Sequence, residues 1–190
     1  MYVRDAKNRD EAWLLDQLEE LSLPDPAFRS RDYVVAVDET TGDKAGFGRI
    51  HVHRDADPAV CEVRNVGVLA DWRSQGVGAH VLERLVETAR DAGFDRLYAL
   101  TEQPEYFTQF GFTPVPTEEL PPVLQDTLET VRDDQKDAIA VAIAVDTFEM
   151  PERLRERFKS AGPESTESDP TEDAEDFGID AENATYKYDL

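Results

Sequence analysis

Along this chain the apolar positions change period several times, and each change marks a new element. Leu14, Leu15, Leu18 and Leu21 recur at helical spacing. Asn8, with Glu11 three residues later, has the form of a capping box at the start of that helix, and MYVRDA before it opens as a short strand. YVVAV (33–37), AGFGRIHVH (45–53) and VCEVRNVGVL (60–69) read as three strands, with DETTGDK and RDADPA as the turns between them. A second helical stripe follows at Val77, Val81, Leu82, Leu85, Val86 and Ala89, and Gly93 stands where a left-handed cap closes it. DRLYALT (95–101) is a strand, PEYFTQF a short helix, and GFTPV a turn into a sheet edge. Residues 117–136 are polar and partly helical, whereas AIAVAIAV (138–145) has the unbroken apolar character of a strand buried on both faces. PERLRERFKSA (151–161) has Pro at a helix start and Gly162 at its end. The order β-α-β-β-β-α-β-α-β predicts an α+β fold, a mixed central sheet flanked by helices, with no internal repeat.

The apolar pattern stops at residue 160. From Ala161 to Asp176 the chain is mostly Ser, Pro, Glu and Asp, a composition that cannot bury a core and reads as a flexible linker. Phe177, Ile179, Tyr186, Tyr188 and Leu190 then return, as if to dock on the chain's own domain or on the mate in a homodimer. The predicted division is one domain over 1–160 and an acidic linker and tail over 161–190. Charge adds a second feature: 42 Asp and Glu oppose 20 Lys and Arg, a formal -22. Residues 161–190 hold ten acidic side chains and one basic, so -13 remains on residues 1–160 and the bias is general. Such a field disfavours nucleic acid and anionic membranes as partners. Only five of the basic residues are lysine, a composition resembling that of halophilic proteins, in which concentrated salt screens self-repulsion. No apolar run is long enough to span a bilayer, the N-terminal residues lack a secretory h-region, and Cys61 alone cannot form a disulfide framework. The expected location is cytoplasmic.

Between the third long strand and the second helix lies RSQGVGAH, Arg73–His80. A Gly-x-Gly turn in that position presents bare amides to an anion. It is not a nucleotide P-loop, which requires G-x-x-x-x-G-K-[ST], nor a dinucleotide fingerprint, whose third glycine is here Val81. His51 and His53 share a strand face, and a tight RDADPA hairpin brings His51 near Glu62. At that spacing the histidines read as hydrogen-bonded or solvated, and no metal site is expected. Cys61 alternates away from Glu62 as a small core hydrophobe. Arg49 and Arg64 face each other on neighbouring strands, which is costly unless an anion joins them or each pairs with a carboxylate.

The stretch V-x-x-x-x-R-S-Q-G-V-G-A, Val68–Ala79, resembles motif A of the GCN5-related N-acetyltransferase (GNAT) superfamily, with Arg73, Gly76 and Gly78 filling its [Q/R]-x-x-G-x-[G/A] core. The element order, the YFTQFGF block about thirty residues downstream and the buried late strand agree with that superfamily, over roughly residues 1–146. The resemblance implies acetyl-CoA as acetyl donor and no metal. Its pyrophosphate would lie on the amides of Ser74, Gln75, Gly76, Val77, Gly78 and Ala79, with local help from Arg73, and a Cβ at Gly76 or Gly78 would collide with phosphate. The strand before the loop would splay after a bulge placed at Gly67. The Val66 amide would then polarise the thioester carbonyl, and Val68 main-chain groups would hold pantetheine.

By the same resemblance Glu62, six residues before Val68, takes the position of the general base, with burial raising its pKa toward working pH. The other reading of Glu62 is a strand carboxylate paired with Arg64. The superfamily's thiolate-protonating tyrosine falls on Phe107, four residues before Gly111, so Tyr106 is the remaining candidate acid or else simple packing. The run FGFTPVPTEELPPVLQDT is also similar to short amino-acid acetyltransferases related to N-acetylglutamate synthase, which implies a small carboxylated amine as acceptor, with Arg49 and Arg64 as its binding residues. Two alternatives stay open: a peptide acceptor, acetylated on lysine or at its N-terminus, and a non-catalytic acyl-CoA-binding module.

Overall fold

The computed structural model describes residues 1–162, so the linker and tail proposed for 161–190 lie almost wholly outside the described residues. The strands are Tyr2–Asp5 (β1), Tyr33–Val37 (β2), Lys44–His53 (β3), Val60–Val68 (β4), Arg96–Thr101 (β5), Thr113–Val115 (β6) and Ile139–Ala144 (β7). The helices are Glu11–Glu20 (α1), Val77–Asp91 (α2), Pro104–Thr108 (α3), Pro122–Asp134 (α4) and Glu152–Lys159 (α5). The strands form one seven-stranded sheet in the order β1-β2-β3-β4-β5-β7-β6. Every neighbouring pair is antiparallel except β4 and β5, which run parallel because α2 carries the chain across between them. This is the expected α+β fold with a mixed sheet. The GFTPV edge is β6, and the polar stretch after it forms α4.

Alternation along the strands sorts the core into two layers. On β2, Val34 and Ala36 join Val81, Leu82 and Leu85 of α2 on one face. Tyr33, Val35 and Val37 meet Leu14 and Leu18 of α1 on the other. The apolar run of β7 divides the same way, Val141 and Ile143 toward α2, Ala140 and Ala142 toward Leu124 and Leu128 of α4. One face is therefore covered by α2, and the opposite face by two separate helices, α1 and α4. The gap between those two helices lies over β4. Helix α2 closes as its sequence predicts, with Gly93 at φ 83° and the Phe94 amide reaching Ala89 O at 3.0 Å.

The start of α1 differs from the expected Asn8–Glu11 box. Residues Asn8–Asp10 form a 3-10 turn, and the capping carboxylate is Asp10, whose Oδ2 accepts the Lys7 amide at 2.8 Å. Asp10 wins the role because two cations already fix it: Arg4 from β1 at 2.7 Å and Lys44 from β3 at 3.4 Å. Burial pulls the Asp10 carboxyl up, but the Arg4 hydrogen bonds, the Lys7 amide and the charges of Arg4 and Lys44 hold it well below its ordinary 3.8. Asp10→Asn is expected to cost about 3 kcal/mol at neutral pH, read as a lower Tm. Because the folded-state pKa is depressed, that contribution is complete above the unfolded value of 3.8 and is lost as pH falls through the folded one. The Tm gap between wild type and variant should therefore narrow in acid.

Candidate active site

Strand β4 pairs with β3 along its whole length but with β5 only through Cys61, Glu62 and Val63. Beyond Val63 the two parallel strands diverge, and the change coincides with a bulge. Between the pairs Phe47–Gly67 and Arg49–Arg64, the single residue Gly48 opposes both Asn65 and Val66. Asn65 takes a left-handed φ of 51°, which its short side chain tolerates. The bulge is thus at Asn65–Val66 and not at Gly67, which instead lies under the Phe47 ring: a Cβ there would meet Phe47 Cζ at 2.6 Å. Asn65 Nδ2 donates to Leu23 O at 3.2 Å and to the Tyr33 hydroxyl at 3.3 Å, tying the bulge to the loop after α1. A cleft of about 1190 Å³ opens where the strands part. Its walls come from that loop (Leu21–Pro24), from β4, from the glycine turn, from the end of β5 with α3, from α4 and from α5.

The glycine turn has the chemistry of an anion site. Among the described residues, none of the amides of Ser74–Ala79 donates to a protein acceptor; the first to do so is His80, to Gly76 O at 3.2 Å. Those of Ser74, Gly76, Val77, Gly78 and Ala79, which line the cleft at the positive end of α2, are thereby left for a ligand. Ser74 and Gly76 adopt left-handed φ values of 61° and 78°, which turn successive amides toward one side. Two contacts within the protein already leave no room for a side chain at these glycines. A Cβ on Gly76 would lie 2.4 Å from Leu154 O of α5, and one on Gly78 would lie 2.7 Å from the Tyr106 hydroxyl. These free amides and the open edge of β4 fit the diphosphate and the extended arm of coenzyme A.

Glu62 sits on the face of β4 that points between α1 and α4, 2% exposed. Its Oε2 accepts a hydrogen bond from His53 Nε2 at 2.8 Å and forms an ion pair with Arg64 Nη2 at 2.9 Å. A cation and a donor thus meet the same oxygen, and among the described residues no hydrogen bond falls on Oε1. His51 stands opposite Glu62 in register, as the tight hairpin predicts, but the hydrogen bond comes from His53, diagonally across. The His51 and His53 rings meet edge to face at 4.6 Å. Burial first, and then the neighbouring Arg64, His53 and Arg49, push the His51 pKa down; because a guanidinium can only donate, His51 Nδ1 is the acceptor for Arg49 Nη2 at 3.0 Å. Arg49 does pair in register with Arg64, yet its guanidinium is buried, bound to Asp25, and does not line the cleft. It acts on the cleft at one remove, since Asp25 also accepts the Tyr33 hydroxyl at 2.7 Å and belongs to the loop that forms one wall.

Of the residues singled out from sequence, Glu62, Arg64, Val66, Val68 and Tyr106 line this one cleft, as do Arg73, Ser74 and Gly76 through Ala79. Gly67 and Gln75 do not; Gln75 braces the turn, donating to Asp71 O at 3.0 Å and accepting the Gly162 amide at 2.9 Å. The Tyr106 hydroxyl reaches the first turn of α2 beside Gly78 and Val68, and burial alone pushes its pKa to about 12. Phe107 lines the cleft too, against Phe112. Burial likewise pushes the Cys61 thiol up to about 12, in keeping with a core side chain. Sequence reasoning passed over Asn65, whose signal is a residue tolerant of left-handed φ ahead of an apolar strand end, and over Arg157 of α5, whose signal is considered below. Among the described residues no group of three His, Cys, Asp or Glu side chains is arranged to hold a metal, and no helix is long and apolar enough to cross a membrane.

Known proteins share this architecture. A segment of 74 residues is 32% identical to an amino-acid acetyltransferase of Mycobacterium tuberculosis, covering 39% of this chain and 41% of that protein, so the match spans about two-fifths of the relative's length. The fold is similar to N-acetylglutamate synthase from Neisseria gonorrhoeae, solved with coenzyme A and N-acetyl-glutamate, at a TM-score of 0.59 and 22% identity over 75% of this chain and 34% of that one. It is also similar to a Mycobacterium tuberculosis protein solved in complex with CoA, at a TM-score of 0.60 and 18% identity over 76% of this chain and 99% of that one. The model of the acetyltransferase (GNAT) family matches residues 3–112, more than half of the sequence, and the chain belongs to that family.

Proposed function

We propose that this protein is an acetyl-CoA-dependent N-acetyltransferase whose acceptor is the amine of an amino acid or a similar small carboxylated molecule. The observation that carries the reading is a single cleft joining the free amides of Ser74–Ala79 to the buried carboxylate of Glu62. Acetyl-CoA bound there supplies an activated acetyl thioester. The amides of the turn bind its diphosphate, and the main chain of Val68 pairs with its pantetheine arm. The Val66 N–H, at the bulge, binds the thioester carbonyl oxygen and stabilises the negative charge that develops on it. Glu62 takes the proton that the acceptor ammonium must lose before its nitrogen can attack. Oε1 receives that proton, while His53 and Arg64 hold Oε2 and fix the carboxylate's orientation. The Tyr106 hydroxyl, kept protonated by its burial, donates a hydrogen bond to the departing thiolate.

The amino-acid acceptor is supported by the likeness to an amino-acid acetyltransferase and by Arg64. That guanidinium lines the cleft, is about a third exposed and meets Glu62 through Nη2, and its five N–H donors exceed what one carboxylate oxygen can accept. One observation favours a second reading, a peptide lysine or other basic amine: Glu102, Asp126 and Asp134 line the same cleft.

Release of coenzyme A from acetyl-CoA, measured against a panel of acidic, neutral and basic amino acids and a lysine peptide, tests both. Molar KCl suits the acidic, lysine-poor composition, which we read as an adaptation to high salt. Turnover with the acidic or neutral amino acids supports the first reading, turnover confined to basic acceptors supports the second, and binding without turnover by any amine overturns both in favour of a binding module. Glu62→Gln is expected to lower kcat by about 10²–10⁴ with acetyl-CoA affinity nearly unchanged; an unaltered kcat removes Glu62 from the mechanism. Tyr106→Phe should lower kcat by about tenfold or more at constant cofactor affinity, and equal rates would return Tyr106 to a packing role.

A further inference from the structure

Helix α5 lies beyond residues 3–112, the part matched by the family, yet it is built onto the glycine turn. Leu154 O stands directly against Gly76, and Phe158 stacks on the His80 ring at 3.8 Å between centroids. Arg155 Nη2 reaches Glu83 of α2 at 3.0 Å, and the Gly162 amide donates to Gln75 Oε1 at 2.9 Å. These contacts fix the helix relative to the turn on both sides of Arg157. The sequence of the helix, ERLRERFK, carries four basic and two acidic side chains, a formal +2 in a chain of -22. Local charge is thus reversed in sign beside the run of free amides.

Three arginines line the cleft: Arg64, Arg73 and Arg157. Arg64 is engaged by Glu62, whereas Arg73 donates to Val68 O at 3.4 Å and Arg157 Nη1 donates to Ser74 O at 3.2 Å. Among the described residues neither Arg73 nor Arg157 forms an ion pair. The remaining charges around the cleft are carboxylates, among them Glu62, Glu102, Asp126 and Asp134. A polyanion entering it therefore meets, among the described residues, cations free of a carboxylate partner only near the turn. Arg157 spends one of its five N–H donors on the turn's own carbonyl, an anchor that holds the planar guanidinium at the rim with the others available. We propose that Arg157 is a phosphate-binding residue of the coenzyme site, contributed by an appended helix and adding to Arg73 a second cation that no carboxylate among the described residues pairs with. The inference rests on the coenzyme reading above.

The test is calorimetry on the full chain with three carriers: acetyl-CoA, 3′-dephospho-coenzyme A and S-acetylpantetheine, which has neither diphosphate nor 3′-phosphate. Arg157→Ala is expected to weaken acetyl-CoA by about tenfold, as for a charge-assisted hydrogen bond, and to leave S-acetylpantetheine unchanged. Arg157→Lys should recover part of the loss. The gap between wild type and Arg157→Ala should shrink from about 0.2 M to about 2 M KCl as screening grows, with Tm confirming that both remain folded. If dephospho-coenzyme A is weakened equally, the contact is to the diphosphate; if it is unaffected, the contact is to the 3′-phosphate. Either outcome supports the assignment. Arg157→Ala binding acetyl-CoA like wild type, or weakening all three carriers alike, overturns it and leaves Arg157 as a structural brace. A wild-type protein that binds no phosphorylated carrier would instead overturn the coenzyme reading itself.

Discussion

The site depends on the divided pairing of β4. This strand is held by β3 from end to end but by β5 over three residues, and everything of chemical interest lies where the second partner is lost. A parallel strand that leaves its neighbour exposes unpaired main-chain groups, which is costly unless something hydrogen-bonds them. The bulge at Asn65–Val66 starts the separation, and Asn65 secures it by bonding Leu23 O and Tyr33. The Arg49–Asp25–Tyr33 cluster then fixes the loop that forms the adjoining wall. Arg49, a candidate substrate ligand in the sequence, thus stabilises the geometry of the cleft without facing into it.

The charge of the molecule and the chemistry proposed for it reconcile through the kind of donor used. Main-chain N–H groups bind an anion without adding formal charge, so a chain of -22 is compatible with the proposed diphosphate cradle. Among the described residues, the arginines lining the cleft at that cradle are Arg73 before the turn and Arg157 across from it, each anchored on a backbone carbonyl. An arginine anchored that way loses little further freedom on meeting a phosphate, whereas a lysine would meet it only as a point charge. The scarcity of lysine costs such a site little.

How much of this the sequence disclosed follows from how local each cause is. Apolar period and turn residues are local, and they located the strands, α2 with its Gly93 cap, and the buried β7. The Asn8–Glu11 box failed because the real competitor, Asp10, is decided by Arg4 and Lys44 from two strands. The bulge was one or two residues off because glycine is the obvious choice for a distortion, while Gly67 is required by the Phe47 ring packed on it. Arg49 and Arg64 are equivalent in register; only the fold distinguishes the one locked on Asp25 from the one left at the cleft wall. Tyr106 could not be placed from a helical wheel, since its reach to Gly78 depends on how α3 docks against α2.

The two glycines of the turn carry the most general consequence. Each is small because another part of the chain occupies the space its side chain would need, Leu154 O at Gly76 and the Tyr106 hydroxyl at Gly78. The turn is therefore shaped by contacts within the protein, together with the Gln75 and Arg157 hydrogen bonds that hold it from outside. A loop fixed in this way does not have to be ordered on binding, so its free amides act on an incoming anion at full strength. The same contacts couple the proposed acid, Tyr106, to the proposed phosphate cradle through a single residue. A change in the position of α3 or α5 would therefore be felt in cofactor binding and in proton transfer together.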